Sequence, residues 1–303
     1  NARLFLDLIT PSFAVFTKYE YWYYFFEGLY RRGIPLFLIS AIFRPDQIFF
    51  QTYGNFFLKI LGYVTYFFVQ NEESVRLLKE FGIRNAGLAG DTRFDRVVDL
   101  PKSKKMIPEV IQFIGEHPTL VAGSTWPQDE QMLRELFADY PAYKLILAPH
   151  EIHESHLASI FALWPNALRF SNMASYDAVT IADARVLVID NIGMLASLYG
   201  YGQIAFIGGG FGVGIHNTLE AATYGIPVLF GPNFKKFQEA KDLVQNGAGF
   251  SIESGKELHK AFAALQDCGF RQEAGKLARE YVLQNAGATP IIMKYLKSNL
   301  VKV

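Results

Sequence analysis

Residues 206–232, "FIGGGFGVGIHNTLEAATYGIPVLFGP", gather more groups able to grip a charged ligand than any other stretch of the chain. Glycines at 208, 209, 210, 212 and 214 follow an apolar run, and His216, Asn217 and Glu220 follow the glycines. Glycine lets main-chain N–H groups approach a ligand with no Cβ in the way, and it accepts positive φ. Gly209 and Gly210 stand at the centre of that loop. Asn217 or Thr218 suits the N-cap of a following helix, and Gly225 suits its C′ position. A helix that starts behind a glycine loop offers free N–H groups and a positive dipole end, which is the chemistry of phosphate binding. Glu220 falls in the first turn, where a carboxylate can accept two hydrogen bonds from a ribose diol. His216 stands at the mouth, placed to hydrogen-bond or stack. An acid in a first turn also complements the dipole with no ligand present; His-Asn-x-x-Glu followed at once by "GIPVLFGP" favours the binding reading. The pattern is not the G-x-G-x-x-G fingerprint, because it follows a late strand and lacks that spacing.

Two further clusters share this placement. In "LVAGSTWPQDEQML" (120–133) a strand ends at Gly123, and Ser124 and Thr125 precede Trp126, Pro127 and an acidic first turn. Hydroxyls and N–H groups there suit a phosphate or a carboxylate; Thr125 as a plain N-cap with Pro127 near N1 accounts for the same residues without a ligand. In "LILAPHEIHE" (145–154) a strand end carries His150, Glu151, His153 and Glu154. Their spacing matches no common zinc pattern, so contact with a ligand or capping of the next helix is the expectation. All three clusters follow strands, and open α/β sheets bind ligands at the carboxyl edge.

The elements that must position these residues alternate along the chain. Strands are predicted at 13–18, 34–39, 64–69, 86–89, 119–122, 144–148, 186–189, 203–207 and 227–230. Most are continuous apolar runs, as in strands buried on both faces. Helices are predicted at 20–32, 45–62, 72–82, 127–139, 153–163, 192–200, 217–224, 235–246, 256–265 and 270–285. This rhythm predicts parallel sheets in an α/β fold. The polar, basic "VDLPKSKKMIPEV", with two prolines, reads as a linker or a domain-entry helix. It divides the chain into a first α/β part, 1–100, and a fuller one, 101–285; 286–303 reads as a C-terminal helix restarting after Pro290. The opening "NARLFLDLI" reads as an amphipathic helix entered mid-run, which suggests a sequence that starts inside a larger domain.

Composition narrows the function classes. The 303 residues suit two domains, and half of them are hydrophobic. Lys+Arg and Asp+Glu balance at 29 each, which argues against a general nucleic-acid binder. Cys268, the single cysteine, excludes an internal disulfide, which fits a reducing compartment. No signal peptide is visible, and the most apolar stretches, 34–43 and 60–70, fall short of the roughly 18 residues needed to span a bilayer. Residues 19–68 are rich in Tyr, Phe and Trp interleaved with Arg31, Arg32, Arg44 and Lys59. Such a face suits docking to an anionic bilayer, and equally suits a half-domain core.

The glycine segment, "GSTWPQDE", "NEESVRLLKEFGI", "GDTRFDR" and "KYEYWYYFFEGLYRRGIPLFLISAIF", in that family's order, resemble the 3-deoxy-D-manno-octulosonic acid (Kdo) transferases. The aromatic richness is similar to a Bacteroidetes-type branch. The resemblance implies a GT-B fold, two Rossmann-like domains facing a cleft, with the N-terminal one incomplete. It implies transfer of Kdo from CMP-Kdo to a lipid A precursor in lipopolysaccharide biosynthesis, inverting, with no metal or other cofactor, at the cytoplasmic face of the inner membrane. His216, Asn217 and Glu220 match the family's HNxxE positions, with Glu220 on the ribose. Gly209 and Gly210 match its loop, and Ser124 and Thr125 match its hydroxyl pair. Arg93 matches a basic residue before Phe-Asp, facing the donor's carboxylate or phosphate. Glu20 matches the acid of an E-x-x-W-like segment on the acceptor side, where it serves in support. Pro149-His150-Glu151 departs from the family's Pro-Arg-His, so His150 stands in for a basic donor contact. The main general base is expected outside this chain, which leaves the isolated chain open to being inactive. A nucleotide-sugar 2-epimerase and a non-catalytic nucleotide-binding remnant are the alternative readings.

Overall fold

A computed structural model describes residues 1–300, and within them the side chain of Asn55 is left aside. The chain divides into two compact units, one formed by 1–96 with 285–303 and the other by 97–284. Both are built on wholly parallel sheets, as the apolar runs require.

The first unit holds β1 (Ala14–Thr17), β2 (Leu36–Ala41), β3 (Tyr66–Val69) and β4 (Ala86–Leu88), paired in that order. The opening residues form the helix Ala2–Ile9, which buries Leu6. The predicted helix over 45–62 is broken. A short 3-10 turn, Ile48–Phe50, is followed by the helix Asn55–Leu61. Gly54 sits between them with its Cα against the Ile48 carbonyl, where an added Cβ would lie on the oxygen. Phe49 and Phe50 are driven into the core beside Phe43 instead of following one helical face.

The last helix, Ala288–Leu300, packs Ile292 and Leu296 against Phe37 and Phe68 of this sheet, and stacks Tyr295 on Tyr66 with ring centroids 4.3 Å apart. Asp95 holds its start: its two carboxylate oxygens accept from the N–H groups of Gly287 (2.5 Å) and Thr289 (2.7 Å). These are donors that a helix start leaves unpaired. The "GDTRFDR" segment that looked like a ligand motif is thus in part a structural clasp.

The second unit holds β5 (Thr119–Thr125), β6 (Lys144–Pro149), β7 (Leu168–Arg169), β8 (Val186–Val188), β9 (Ile204–Ile207), β10 (Val228–Phe230) and β11 (Gly249–Ser251). Their order across the sheet is β11-β10-β9-β5-β6-β8-β7. The chain builds outward from β5 through β6 to the β8 side, then returns to β9 on the other side of β5. The order therefore reverses between β5 and β9. A reversal of this kind marks, at the carboxyl ends of the strands, the place where open α/β sheets bind ligands.

Candidate functional site

The ends of β5, β6, β9 and β10 converge on the glycine loop. Three consecutive glycines allow this, and mainly by facing protein backbone. A Cβ on Gly208 would lie 2.3 Å from the Ser124 carbonyl oxygen, and one on Gly210 would lie 2.6 Å from both N and Cα of Gly231. Gly209 has φ 86°. Its N–H is already bonded, at 2.9 Å, to the Asp129 carboxylate. The Gly209 amide is thus used within the protein, and the loop's glycines first of all let strand ends touch.

Asp129, third residue of the helix Pro127–Asp139, also accepts from the Trp126 N–H at 2.9 Å. It is 1% exposed, and its other oxygen has no partner among the described residues. Burial is the main cause that pushes its carboxyl up to about 6; the two N–H groups pull the other way. An acid whose folded-state pKa lies above its unfolded value favours folding while protonated, and that advantage is lost as pH rises from about 4 through about 6. Stability is therefore expected to fall by up to about 3 kcal/mol over that window on this account. Urea unfolding of Asp129→Asn should show a visibly flatter pH dependence than the unaltered chain. Parallel curves would remove the account.

Behind the β5 end lies a buried polar chain. The Thr125 hydroxyl donates to Glu130 (3.0 Å), whose other oxygen meets His156 Nε2 (3.1 Å), while His156 Nδ1 bonds the Glu151 carbonyl (2.9 Å). Thr125 is fully buried, so of the expected hydroxyl pair it points inward, away from solvent. Ser124 remains half-buried, in the left-handed region at φ 53°, a strained state for serine, at the point where β5 shifts register against β6.

At the mouth three rings stack. His150 lies 4.9 Å from Trp126 and 4.4 Å from His216, near-parallel to both, and the Trp126 indole N–H donates to His216 Nε2 at 3.4 Å. Burial, then the nearby His150, hold His216 below the usual histidine range. Asn217 Oδ1 accepts from the Leu219 N–H (3.1 Å), and its Nδ2 donates to Glu220 Oε1 (3.0 Å). The helix is shorter than the sequence predicts, Leu219–Ala222, with Thr218 at its N-cap. Glu220 is half-buried, and Asn217 fixes the direction of its carboxylate.

The structure thus gathers Ser124, His150, Gly209, Gly210, His216, Asn217 and Glu220 at one sheet edge. Glu20 and Arg93 belong to the first unit. Glu20 is exposed and precedes the helix Tyr23–Arg31 instead of starting it, and its carboxylate has no partner among the described residues. Arg93 Nε bonds the buried Asp91 at 2.9 Å, as does Lys18 Nζ at 3.2 Å. Sequence reasoning did not single out Trp126, Asp129, or the exposed Lys235 and Lys236 in the loop after β10. That loop is tied to the glycine segment by Asn233, which donates to the Gly212 carbonyl. The paired lysines beside "GP" were a usable signal; Asp129 had none beyond its place in a first turn. Among the described residues no group of three or more His, Cys, Asp or Glu could hold a metal ion, and no helix is long and apolar enough to cross a membrane.

Two Rossmann-like units, the second with its polar side chains at the switch point, define a protein of the GT-B type shared by glycosyltransferases and nucleotide-sugar epimerases. The UDP-GlcNAc 2-epimerase from Neisseria meningitidis bound to UDP-GlcNAc is similar over 97% of this chain and 78% of that one, at 16% identity and a TM-score of 0.67. S. aureus MnaA in a UDP co-structure is similar over 100% and 80%, at 12% identity and 0.67. At such identities these show the fold alone. Sequence is more specific: residues 1–96 match the family model described as 3-Deoxy-D-manno-octulosonic-acid transferase (kdotransferase). The 3-deoxy-D-manno-octulosonic acid transferase of Rickettsia felis is 28% identical over 84% of this chain, and that of Aquifex aeolicus is 28% identical over 85%. The chain is accordingly similar to Kdo transferases in sequence over most of its length, and its residues 1–96 match their family model. It spans 56% of the length of the R. felis protein and 67% of the A. aeolicus one.

Proposed function

We propose that this chain carries the donor-binding part of a glycosyltransferase that moves Kdo from CMP-Kdo to a lipid A precursor in lipopolysaccharide biosynthesis. The observation that carries the reading is Glu220, aimed by Asn217 at the switch-point edge of a sheet whose sequence relatives are Kdo transferases. The nucleotide lies across the ends of β5 and β9, with its ribose diol on Glu220. An acceptor hydroxyl attacks the anomeric carbon and CMP departs from the opposite face, so the configuration inverts. The charge developing on the departing phosphate is met by His216, the loop N–H groups and the lysines at 235 and 236, with no metal. Fixed donors aimed at a developing charge stabilise it without reorganisation.

A lipid acceptor places this chemistry at the cytoplasmic face of the inner membrane. The exposed Trp22, Tyr24 and Tyr30 beside Arg31 in the first unit support that placement. Arg93 and Glu20 serve the donor's acid group and the acceptor side respectively.

The fold likeness to UDP-sugar epimerases makes the nucleotide the deciding quantity. Calorimetry on the 303-residue chain should show CMP binding at least about tenfold more tightly than UDP, a difference of ~1.4 kcal/mol. Tighter UDP binding would overturn the cytidine assignment.

A further inference from the structure

Trp126 belongs to none of the roles assigned so far, yet its indole touches both rings at the mouth. We infer that Trp126 is a positioning residue that locks His216 as the neutral tautomer protonated on Nδ1. The inference rests on the nucleotide-site reading for its use, but not for its geometry. The indole N–H is a donor only, so the nitrogen it meets, His216 Nε2, must be the unprotonated acceptor. The proton of the neutral ring then sits on Nδ1.

The ring's orientation is fixed from three sides. Its Nε2–Cδ2 edge lies over Gly209, where a Cβ would come within 3.2 Å of both atoms. Its face lies on His150 at 4.4 Å, and His150 lies on Trp126 at 4.9 Å. Nδ1 is on the opposite side of the ring from the Gly209 contact and has no partner among the described residues. It is a single N–H donor of fixed direction, suited to one oxygen of a nucleotide phosphate. A second proton on Nε2 would meet the indole N–H head-on, so Trp126 opposes the charged form. The titratable neighbours are His150 on the loop after β6, Asp129 behind Gly209, and Glu220 on the helix that follows. A cationic His150 opposes charge on His216 as well, while the two carboxylates favour it.

Nitrogen-resolved NMR of the unaltered chain reads the tautomer directly, and titration of the His216 ring reads its midpoint. The expected result is an unprotonated Nε2 and a midpoint below that of a free histidine. Trp126→Phe keeps a stacking ring and removes only the donor. It should give a mixture of tautomers and raise the midpoint by roughly one pH unit, a tenfold change in proton affinity. CMP affinity should fall roughly three- to tenfold at about pH 8.5, where the ring is neutral with or without the indole and only a fraction of the variant's rings present Nδ1–H. A proton found on Nε2 in the unaltered chain would overturn the inference, as would a tautomer and midpoint indifferent to Trp126→Phe. If the unaltered chain binds no CMP while the tautomer and its response to Trp126→Phe stand, the nucleotide reading fails and the placement of Trp126 does not.

Discussion

Gly210→Ala is expected to destabilise the second unit by about 2–4 kcal/mol, among the larger effects a single methyl group can have. The new Cβ would lie 2.6 Å from both N and Cα of Gly231 and 2.9 Å from its carbonyl carbon. All three are backbone atoms at the end of β10, so no side chain can swing aside. Relief requires moving one strand end away from the other, and each is tied down. The Asn233 N–H donates to the Gly210 carbonyl at 2.9 Å, and β10 pairs with both β9 and β11. A close-packed interior transmits such a shift instead of absorbing it. Gly212→Ala is the internal control. It lies in the same loop with no atom within 4 Å of an added Cβ and no positive φ, so its effect should stay within about 0.5 kcal/mol. Urea unfolding of the two variants beside the unaltered chain separates them. Equal stabilities would mean that Gly210 and Gly231 are not packed as described.

That contrast shows what the sequence could and could not convey. Strand identity was legible because parallel strands buried on both faces must be apolar throughout; β5, β6 and β9 read so from "TLVA", "KLILA" and "QIAFI". Two strands escaped notice. Leu168–Arg169 and Gly249–Ser251 are too short to make a periodic signal, and only pairing with β8 and β10 defines them. The break at Gly54 was equally hidden, since Ile48–Phe50 and Asn55–Leu61 together look like one apolar helix face.

For the site, residue types were legible and directions were not. The run 208–210 announces close backbone approach, but glycine says nothing of what approaches. Here it is largely Ser124 and Gly231. Thr125 next to Ser124 suggested a hydroxyl pair. The fold turns one inward because Glu130 and His156 form a buried acceptor chain behind it, a relation across 26 residues of sequence. Glu220 was legible because it sits three residues after Asn217, one helical turn, and the short helix needs only that local spacing to bring them together.

Glu220→Ala should weaken CMP binding by about 1–3 kcal/mol, a loss of roughly 5- to 150-fold. The range follows from removing a charged acceptor shared by two hydroxyls. Asn217 Nδ2 occupies one side of Oε1 and, by tying its own Oδ1 to the Leu219 N–H, keeps the carboxylate from turning away. The nearby Tyr199 is buried and its hydroxyl is pushed well above the usual tyrosine range, mainly by burial and then by Glu220. It therefore stays neutral. The carboxylate thus faces a fixed, neutral wall on the protein side and keeps Oε2 for a ligand. A change in affinity alone would not prove contact with the ribose, because truncation also frees Asn217. Using 2′-deoxy-CMP completes a cycle. If Glu220 accepts from the 2′-hydroxyl, the deoxy ligand binds the unaltered chain more weakly than CMP, and Glu220→Ala removes most of that difference. If the variant weakens both ligands by the same factor, Glu220 acts by shaping the loop, and the ribose lies elsewhere.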